Sequence, residues 1–249
     1  MRVAEVLSTL DGSVLTLTLN RPEKQNAITR DMYQFMADQL REANGDFAIR
    51  AVVITHEGPH FTAGNDLYDF LNAPPLEPGS PVMQFLEQIH TFTKPLLAAV
   101  SGNAVGIGTT MLMHCDIVVA SPSAKFSMPF VNLGLVPEAG SSILFPRLVG
   151  YKRASQVFLT GEPFSSDYAK QVGLIAEVHD NPKMRIAEFA AKIATQPPNA
   201  VIQTKALLKS EMHDKVSAVM IAEGELFQMA LQSDEAREAF MNFLSKKGK

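Results

Sequence analysis

The 249-residue chain is poor in several features that particular classes of protein require. Its single cysteine, Cys115, cannot form an internal disulfide, so we expect a reducing compartment such as the cytoplasm. The 22 Lys and Arg residues are outnumbered by 26 Asp and Glu residues, which leaves no basic excess for a nucleic-acid partner. The six histidines lack the clustered spacing that is typical of metal ligands, and we therefore predict no metal site.

Long apolar segments are also scarce. The longest uncharged run, residues 95–115, has the length of a membrane span, but it contains glycines and several polar residues. A buried strand, a glycine turn and the start of a helix explain it better. The N-terminus has no apolar segment of the secretory kind, so we expect neither a signal peptide nor a membrane partner. The apolar fraction of 46% excludes intrinsic disorder and permits a large core.

The apolar pattern indicates an α/β fold. Leu15, Leu17 and Leu19 alternate with threonines, which predicts a strand that follows a turn at residues 11–12. Short continuous apolar runs with helical patterns between them indicate buried parallel strands, at residues 51–54, 96–100 and 116–120. From residue 181 onward the pattern is helical, with predicted helices at 183–195, about 199–210, 214–232 and 233–246. We predict a large α/β unit followed by a smaller helical region.

Two glycine-containing segments can present free backbone N–H groups. Residues 102–110 connect a predicted strand to a predicted helix, but Met111 replaces the third glycine of a dinucleotide fingerprint, and no P-loop lysine follows. The start of a helix still offers unpaired N–H groups to a developing negative charge. Residues 63–67, Ala-Gly-Asn-Asp-Leu, have the same property, and the two segments together could form an oxyanion hole. Close packing of the backbone is the alternative explanation for these glycines.

Three side chains, those of Asp66, Cys115 and Glu138, are candidates for a chemical role. Glu138 lies in an apolar loop, where burial would raise its pKa and suit it to accept and return a proton. From the residues alone, interaction with a helix dipole is the simpler explanation for Glu138. Asp66 could be a catalytic acid, but we favour a role in capping backbone N–H groups. Cys115, beside His114, is typical of a buried core residue rather than of a nucleophile.

Several motifs, taken in order, resemble the enoyl-CoA hydratase/isomerase (crotonase) family. They are Asn-Arg-Pro at 20–22 with Asn-Ala at 26–27, Phe-Thr-Ala-Gly-Asn-Asp-Leu at 61–67, the segment 94–117, Phe-Ser-Met-Pro at 126–129, and Leu-Gly-Leu-Val-Pro at 133–137. The resemblance extends from about residue 10 to the C-terminal helices. It implies a crotonase-like (ClpP/crotonase) ββα spiral core over residues 1–195. It also implies a helical trimerisation region over residues 196–249, and hence a homotrimer or a dimer of trimers.

The resemblance also implies the ligand and the residues that bind it. An acyl-CoA thioester would be the substrate, with no separate cofactor, and its oxygen would lie between the backbone N–H groups of Asn65 and Ile107. The C-terminal lysines are candidates for contacts with the CoA phosphates. The remaining residues implied to bind substrate or CoA are Lys24, Asn26, Ala27, Ala63, Gly64, Asp66, Leu67, Gly106 and Phe130.

Departures from the family pattern decide which reaction we expect. Hydratases of this family carry two catalytic glutamates, and Thr110 and Phe130 stand at those positions here, so neither can act as a general base. An acid appears instead at Glu138, which is similar to the Δ3,Δ2-enoyl-CoA isomerase branch. The resemblance therefore implies that Glu138 moves a proton along a 3-enoyl-CoA in fatty acid oxidation. We expect Phe130 and Met128 to line a pocket that excludes water.

Two other functions stay open at this point. The first is a hydratase or another crotonase-type lyase that uses a nonstandard acid, either Glu138 or Asp66. The second belongs to another class, a noncatalytic acyl-CoA binding protein in which the oxyanion loops serve only as scaffold.

Overall fold

A computed structural model describes residues 4–72 and 79–247. The strands in these residues are β1 (Val6–Asp11), β2 (Val14–Leu19), β3 (Ala51–His56), β4 (Leu96–Val100), β5 (Asn103–Val105), β6 (Ile117–Ala120), β7 (Lys125–Ser127), β8 (Phe164–Ser165) and β9 (Glu177–Val178). The α-helices are α1 (Arg30–Gly45), α2 (Leu67–Asn72), α3 (Pro81–Thr91), α4 (Ile107–Thr110), α5 (Ser141–Val149), α6 (Tyr151–Thr160), α7 (Ser166–Gln171), α8 (Pro182–Ala194), α9 (Pro198–Lys209), α10 (His213–Leu231) and α11 (Asp234–Lys247). Short 3-10 helices cover Pro22–Lys24, Met111–His114 and Val131–Leu133.

The strands form two sheets. The larger has the order β1-β2-β3-β4-β6-β9, and the smaller has the order β5-β7-β8. β1 and β2 form the predicted antiparallel hairpin, whereas β2, β3, β4, β6 and β9 pair in parallel. The prediction of parallel pairing from continuous apolar runs is therefore confirmed.

The larger sheet is covered by helices on both faces. Alternate residues of β2, among them Leu15, Leu17 and Leu19, lie in one core together with apolar side chains of α1 and α3. The opposite face of the sheet packs Val53 and Ala99 against α8. This two-faced burial explains why the central strands are apolar throughout.

The C-terminal helices agree with the predicted bounds to within about two residues, and α8 to α11 follow one another as expected. α9 begins at Pro198, where a proline is tolerated because the first N–H groups of a helix have no partner inside it. Within the described ranges, no helix is both long and apolar enough to span a membrane. The division of the chain near residue 195 stays a prediction.

Asn26 ties together the loop between β2 and α1. Its side chain accepts a hydrogen bond from the Arg21 N–H at 2.7 Å. Its amide also donates to the Glu57 and His60 carbonyls at 2.8 Å each. At 0% exposure Asn26 has no surface for a ligand, so its part in the site is to hold this loop.

We expect Asn26→Ala to lower the free energy of unfolding by about 3 kcal/mol, because three buried hydrogen bonds are lost at roughly 1 kcal/mol each. Urea denaturation measures this change. Gln25→Ala is the matched control, since Gln25 is exposed and has the same left-handed backbone, with φ of 52° against 54° for Asn26. Equal destabilisation by both variants would contradict the assigned role of the Asn26 side chain.

Candidate active site

The loop at residues 61–65 runs beside β5 as if it were another strand. The Phe61 N–H donates to the Ser101 carbonyl at 2.8 Å, and the Val105 N–H donates to the Thr62 carbonyl at 3.1 Å. Gly64 comes so close that a Cβ there would lie 2.9 Å from the Val105 oxygen, and its φ is +86°. The two glycine-containing segments predicted to cooperate are therefore packed against each other.

Asn65 and Ile107 follow directly after this contact. The backbone groups on either side of the Asn65 N–H are hydrogen-bonded to Ile28: the Gly64 carbonyl accepts the Ile28 N–H, and the Asp66 N–H donates to the Ile28 carbonyl. Ile107 is the first residue of α4, after Gly106 with φ of 56°. In residues 4–72 and 79–247, neither the Asn65 nor the Ile107 N–H has a protein acceptor. Two free donors are thus present in one small region, as an oxyanion hole requires.

Glu138 is linked to the same short helix. The Thr110 hydroxyl donates to Glu138 Oε1 at 2.5 Å, and Thr110 lies one turn after Ile107 in α4. α4 therefore carries both a free N–H donor and the hydroxyl group that binds the Glu138 carboxylate. Thr110 is a hydrogen-bond donor in this arrangement rather than a base.

The surroundings of Glu138 change its acidity. Burial raises the pKa of Glu138 to about 8, the Thr110 hydrogen bond opposes this rise, and the charge of Glu223 adds to it. Near neutral pH the carboxyl group can therefore exist in both protonation states. A group of this kind can take up a proton and return it.

The backbone after Glu138 has an uncommon shape. Ala139 has φ of 59° and Gly140 has φ of 69°, so two consecutive residues are left-handed. The His114 Nε2–H donates to the Ala139 carbonyl at 2.7 Å, and Glu223 accepts the Gly140 N–H at 2.6 Å. Neighbouring side chains thus hold the peptide groups that set the position of Glu138.

Tyr33 and Glu223 are site residues that the sequence did not reveal. The Tyr33 hydroxyl donates to Asn65 Oδ1 at 2.5 Å. Burial, and then the charge of Glu138, raises the pKa of Tyr33 well above its usual value, so the phenol stays protonated. Both residues lie on helices, α1 and α10, where a helical pattern gives no sign of a partner in a distant loop.

Asp66 has the capping role that we favoured. Its carboxylate pairs with Arg21 Nη1 at 2.6 Å and accepts the Tyr68 and Asp69 N–H groups at the start of α2. Burial alone would raise the pKa of Asp66, but the hydrogen bond from Arg21 and those from the two N–H groups keep it below its usual value. Asp66 is therefore ionised at neutral pH and has no proton to donate.

The predicted pocket wall needs a correction. Met128 is 0% exposed and Phe130 is 7% exposed, so both belong to the main core. Met128 cannot line an open pocket, and Phe130 offers little surface to one. Sequence position does not separate a residue in a pocket wall from one packed behind it. Gly64 is buried against Val105 and likewise offers no surface to a ligand. The other residues implied to bind substrate keep some exposure, namely Lys24, Ala27, Ala63, Asp66, Leu67 and Gly106.

Cys115 and His114 are neutral at physiological pH. Burial raises the pKa of Cys115 to about 12, and burial lowers the pKa of His114 to about 3. The prediction that Cys115 is not a reactive thiol agrees with this acidity. Among the described residues, no three His, Cys, Asp or Glu side chains are grouped as metal ligands would be.

The fold and the site together define a class of protein. It is an α/β protein in which two backbone N–H groups without a protein acceptor lie in the same region as a half-buried carboxylate. A family model described as enoyl-CoA hydratase/isomerase matches residues 9–249. The chain belongs to this family, has the crotonase fold, and is an acyl-CoA enzyme of either the isomerase or the hydratase type.

Known relatives include both reaction types. Enoyl-CoA delta isomerase 2 of Rattus norvegicus is 34% identical over 98% of this chain and 64% of its own length. The 2,3-dehydroadipyl-CoA hydratase of Escherichia coli (strain K12) is 32% identical over 98% of this chain and 97% of its own. The crystal structure of an enoyl-CoA hydratase/isomerase from Pseudoalteromonas atlantica T6c matches with a TM-score of 0.93 and 40% identity, and covers 98% of each chain. The relatives therefore identify the family but not which of the two reactions this protein catalyses.

Proposed function

We propose that this protein is a Δ3,Δ2-enoyl-CoA isomerase, which shifts the double bond of a 3-enoyl-CoA to the conjugated 2-position in fatty acid oxidation. The observation that carries the proposal is the half-buried Glu138 carboxylate, hydrogen-bonded to Thr110 on the helix that begins at Ile107. One carboxylate beside two free N–H donors is sufficient for a proton shift, because the same group removes and returns the proton.

The proposed isomerisation has two steps. Ionised Glu138 takes a proton from C2, and the electron pair of the broken C–H bond forms a dienolate whose charge lies on the thioester oxygen. The N–H groups of Asn65 and Ile107 stabilise this oxyanion, and each such donor contributes about 3 kcal/mol. Protonated Glu138 then gives the proton to C4, where the electron pair of the C3–C4 double bond forms the new C–H bond. The charge on the oxygen re-forms the thioester carbonyl, and the double bond now lies between C2 and C3.

The raised pKa of Glu138, to about 8, suits both steps. A carboxylate of higher pKa is a stronger base toward the weakly acidic C2 proton, and it still releases that proton to the dienolate. Burial thus supplies the basicity that an exposed glutamate lacks.

The binding surface of the substrate is part of the same proposal. Lys24 is exposed and can reach the CoA portion, while Ala27, Ala63, Leu67 and Gly106 border the two glycine-containing segments. We also propose a homotrimer or a dimer of trimers formed through the helical region from residue 196. Large exposed apolar side chains on α9 and α10 support this, namely Leu207, Leu208, Ile221, Leu226 and Met229. The cytoplasm as compartment is proposed from the single cysteine.

Hydration is the second reaction that the family allows. It needs a water molecule held by acid and base groups, and Thr110 and Phe130 stand where hydratases carry glutamates. Asp66 is held ionised by Arg21, which argues against its use as a nonstandard acid. A noncatalytic acyl-CoA binding protein would have no need for a carboxyl group with the raised pKa of Glu138.

A parallel assay with trans-3-hexenoyl-CoA and crotonyl-CoA tests this proposal. We expect the absorbance of the conjugated enoyl thioester to rise with the first substrate and to change little with the second. A fall in absorbance with crotonyl-CoA would indicate hydration and overturn the argument from Thr110 and Phe130. Tight binding of both thioesters without either reaction would indicate the noncatalytic binding protein.

A further inference from the structure

Helix α10 covers the loop that carries Glu138. The carboxylate of Glu223 accepts the Gly140 N–H at 2.6 Å and the Ser142 N–H at 2.8 Å. Glu223 is only 6% exposed, and two turns earlier Val216 packs so close that a Cβ on Gly140 would lie 2.8 Å from its Cγ1. α10 therefore contacts the loop at two points.

The loop needs this support because of its backbone. Ala139, the residue directly after Glu138, has a side chain and yet a left-handed φ of 59°. Residues of this kind persist only when their surroundings hold them in place. Here the carbonyl of Ala139 accepts a hydrogen bond from His114, while the next N–H, that of Gly140, donates to Glu223. The peptide group between Ala139 and Gly140 is therefore fixed at both its oxygen and its nitrogen.

We propose that Glu223 is a positioning residue that fixes the reactive carboxylate of Glu138 through the Ala139–Gly140 peptide. The inference rests on the proposed function of Glu138 as the group that transfers the proton. Glu223 does not touch the reacting atoms. It holds the backbone that positions the Glu138 carboxylate, and its charge affects the pKa of Glu138.

A carboxylate is required at this position for two reasons. Gly140 and Ser142 donate to different oxygens of Glu223, so both positions at the end of the side chain must be acceptors, as in a carboxylate. The start of α5, a nine-residue helix, also favours a negative charge at that place. A glutamine at 223 would turn its NH₂ group toward one of the two N–H groups and leave that N–H buried without an acceptor.

The charge of Glu223 also acts on Glu138. Burial is the main cause of the raised pKa of Glu138, the Thr110 hydroxyl from α4 opposes it and the Glu223 carboxylate from α10 adds to it. Burial also raises the pKa of Glu223, against the hydrogen bonds from Ser142 and Gly140, and the charge of Glu138 helps to raise the pKa of the Tyr33 phenol from α1. Thr110 and Tyr33 are neutral, so Glu223 supplies the charge that helps to keep the pKa of Glu138 raised. Loss of that charge allows Glu138 to ionise at lower pH.

The test compares Glu223→Gln with Glu225→Gln, which removes the same charge from an exposed position of the same helix. With trans-3-hexenoyl-CoA we expect Glu223→Gln to lower kcat by roughly tenfold or more and to change KM by less than about twofold. The acidic limb of the kcat/KM profile is expected to move to lower pH. Glu225→Gln is expected to match the wild type in all three quantities.

A direct titration separates this inference from the proposed function. The carboxyl group of Glu138 can be followed by ¹³C NMR in the wild type and both variants, without any reaction. Titration of Glu138 at lower pH in Glu223→Gln supports the inference even if the wild type fails to isomerise, a failure that would overturn only the proposed function. An unshifted titration, or an active wild type that Glu223→Gln equals in kcat, would overturn the role of Glu223. Binding of hexanoyl-CoA by Glu223→Gln establishes that the variant is folded.

Discussion

Glu138→Gln is expected to lower kcat for the isomerisation of a 3-enoyl-CoA by roughly 10³-fold, within the range that general acid–base groups contribute. Glutamine has nearly the shape of glutamate and can still accept the hydrogen bond from Thr110, but it cannot take up the C2 proton. KM should change little, because the N–H groups of Asn65 and Ile107 remain in place. Steady-state kinetics with trans-3-hexenoyl-CoA measures both quantities.

The pH dependence provides the control for this variant. Because burial raises the pKa of Glu138 to about 8, wild-type kcat/KM should increase as the pH rises toward that value and the carboxyl group ionises. The residual activity of Glu138→Gln should lack this increase. The variant should also bind saturated hexanoyl-CoA as the wild type does. Isomerisation by Glu138→Gln at the full rate would remove Glu138 from the mechanism.

Much of the fold could be predicted from local pattern. The alternation at Leu15, Leu17 and Leu19 identifies β2, and the continuous apolar runs identify the central parallel strands β3, β4 and β6. The C-terminal helices α8 to α11 follow from helical spacing and from the break at Pro197 and Pro198. These features depend on neighbours within a few residues, which is the range over which periodicity carries information.

The contacts that shape the site are of a different kind. Glu223 lies 83 residues from Gly140, whose N–H it accepts, and Tyr33 lies 32 residues from Asn65. A buried glutamate on a helix has no local signal that sets it apart from an exposed one, so Glu223 could not be told from Glu225. Asn26 was predicted to bind substrate or CoA, but it is completely buried, because it bonds to loops that the sequence does not bring together.

Gly64→Ala is expected to lower kcat/KM by about 10²-fold, the usual cost of removing one oxyanion donor. Gly64 has φ of +86°, and a Cβ there would lie 2.9 Å from the Val105 oxygen, which is backbone and cannot rotate away. The loop must therefore move away from β5, and the Asn65 N–H, one residue later, moves with it. Steady-state kinetics measures the loss, and most of it should fall on kcat because the donor acts on the charge that develops during the reaction.

Gly173→Ala is the control that separates the steric contact of a new Cβ from the cost of a left-handed backbone. Gly173 has φ of +83°, nearly that of Gly64, but nothing lies within 4 Å of the position where its Cβ would be. Both variants place an alanine in the left-handed region, which costs about 1–2 kcal/mol of stability. We therefore expect both variants to be destabilised in urea, Gly64→Ala by more because of its added contact with Val105, and we expect loss of activity only in Gly64→Ala. Wild-type kcat/KM in a folded Gly64→Ala protein would show that the close approach of Gly64 to Val105 does not position an oxyanion donor.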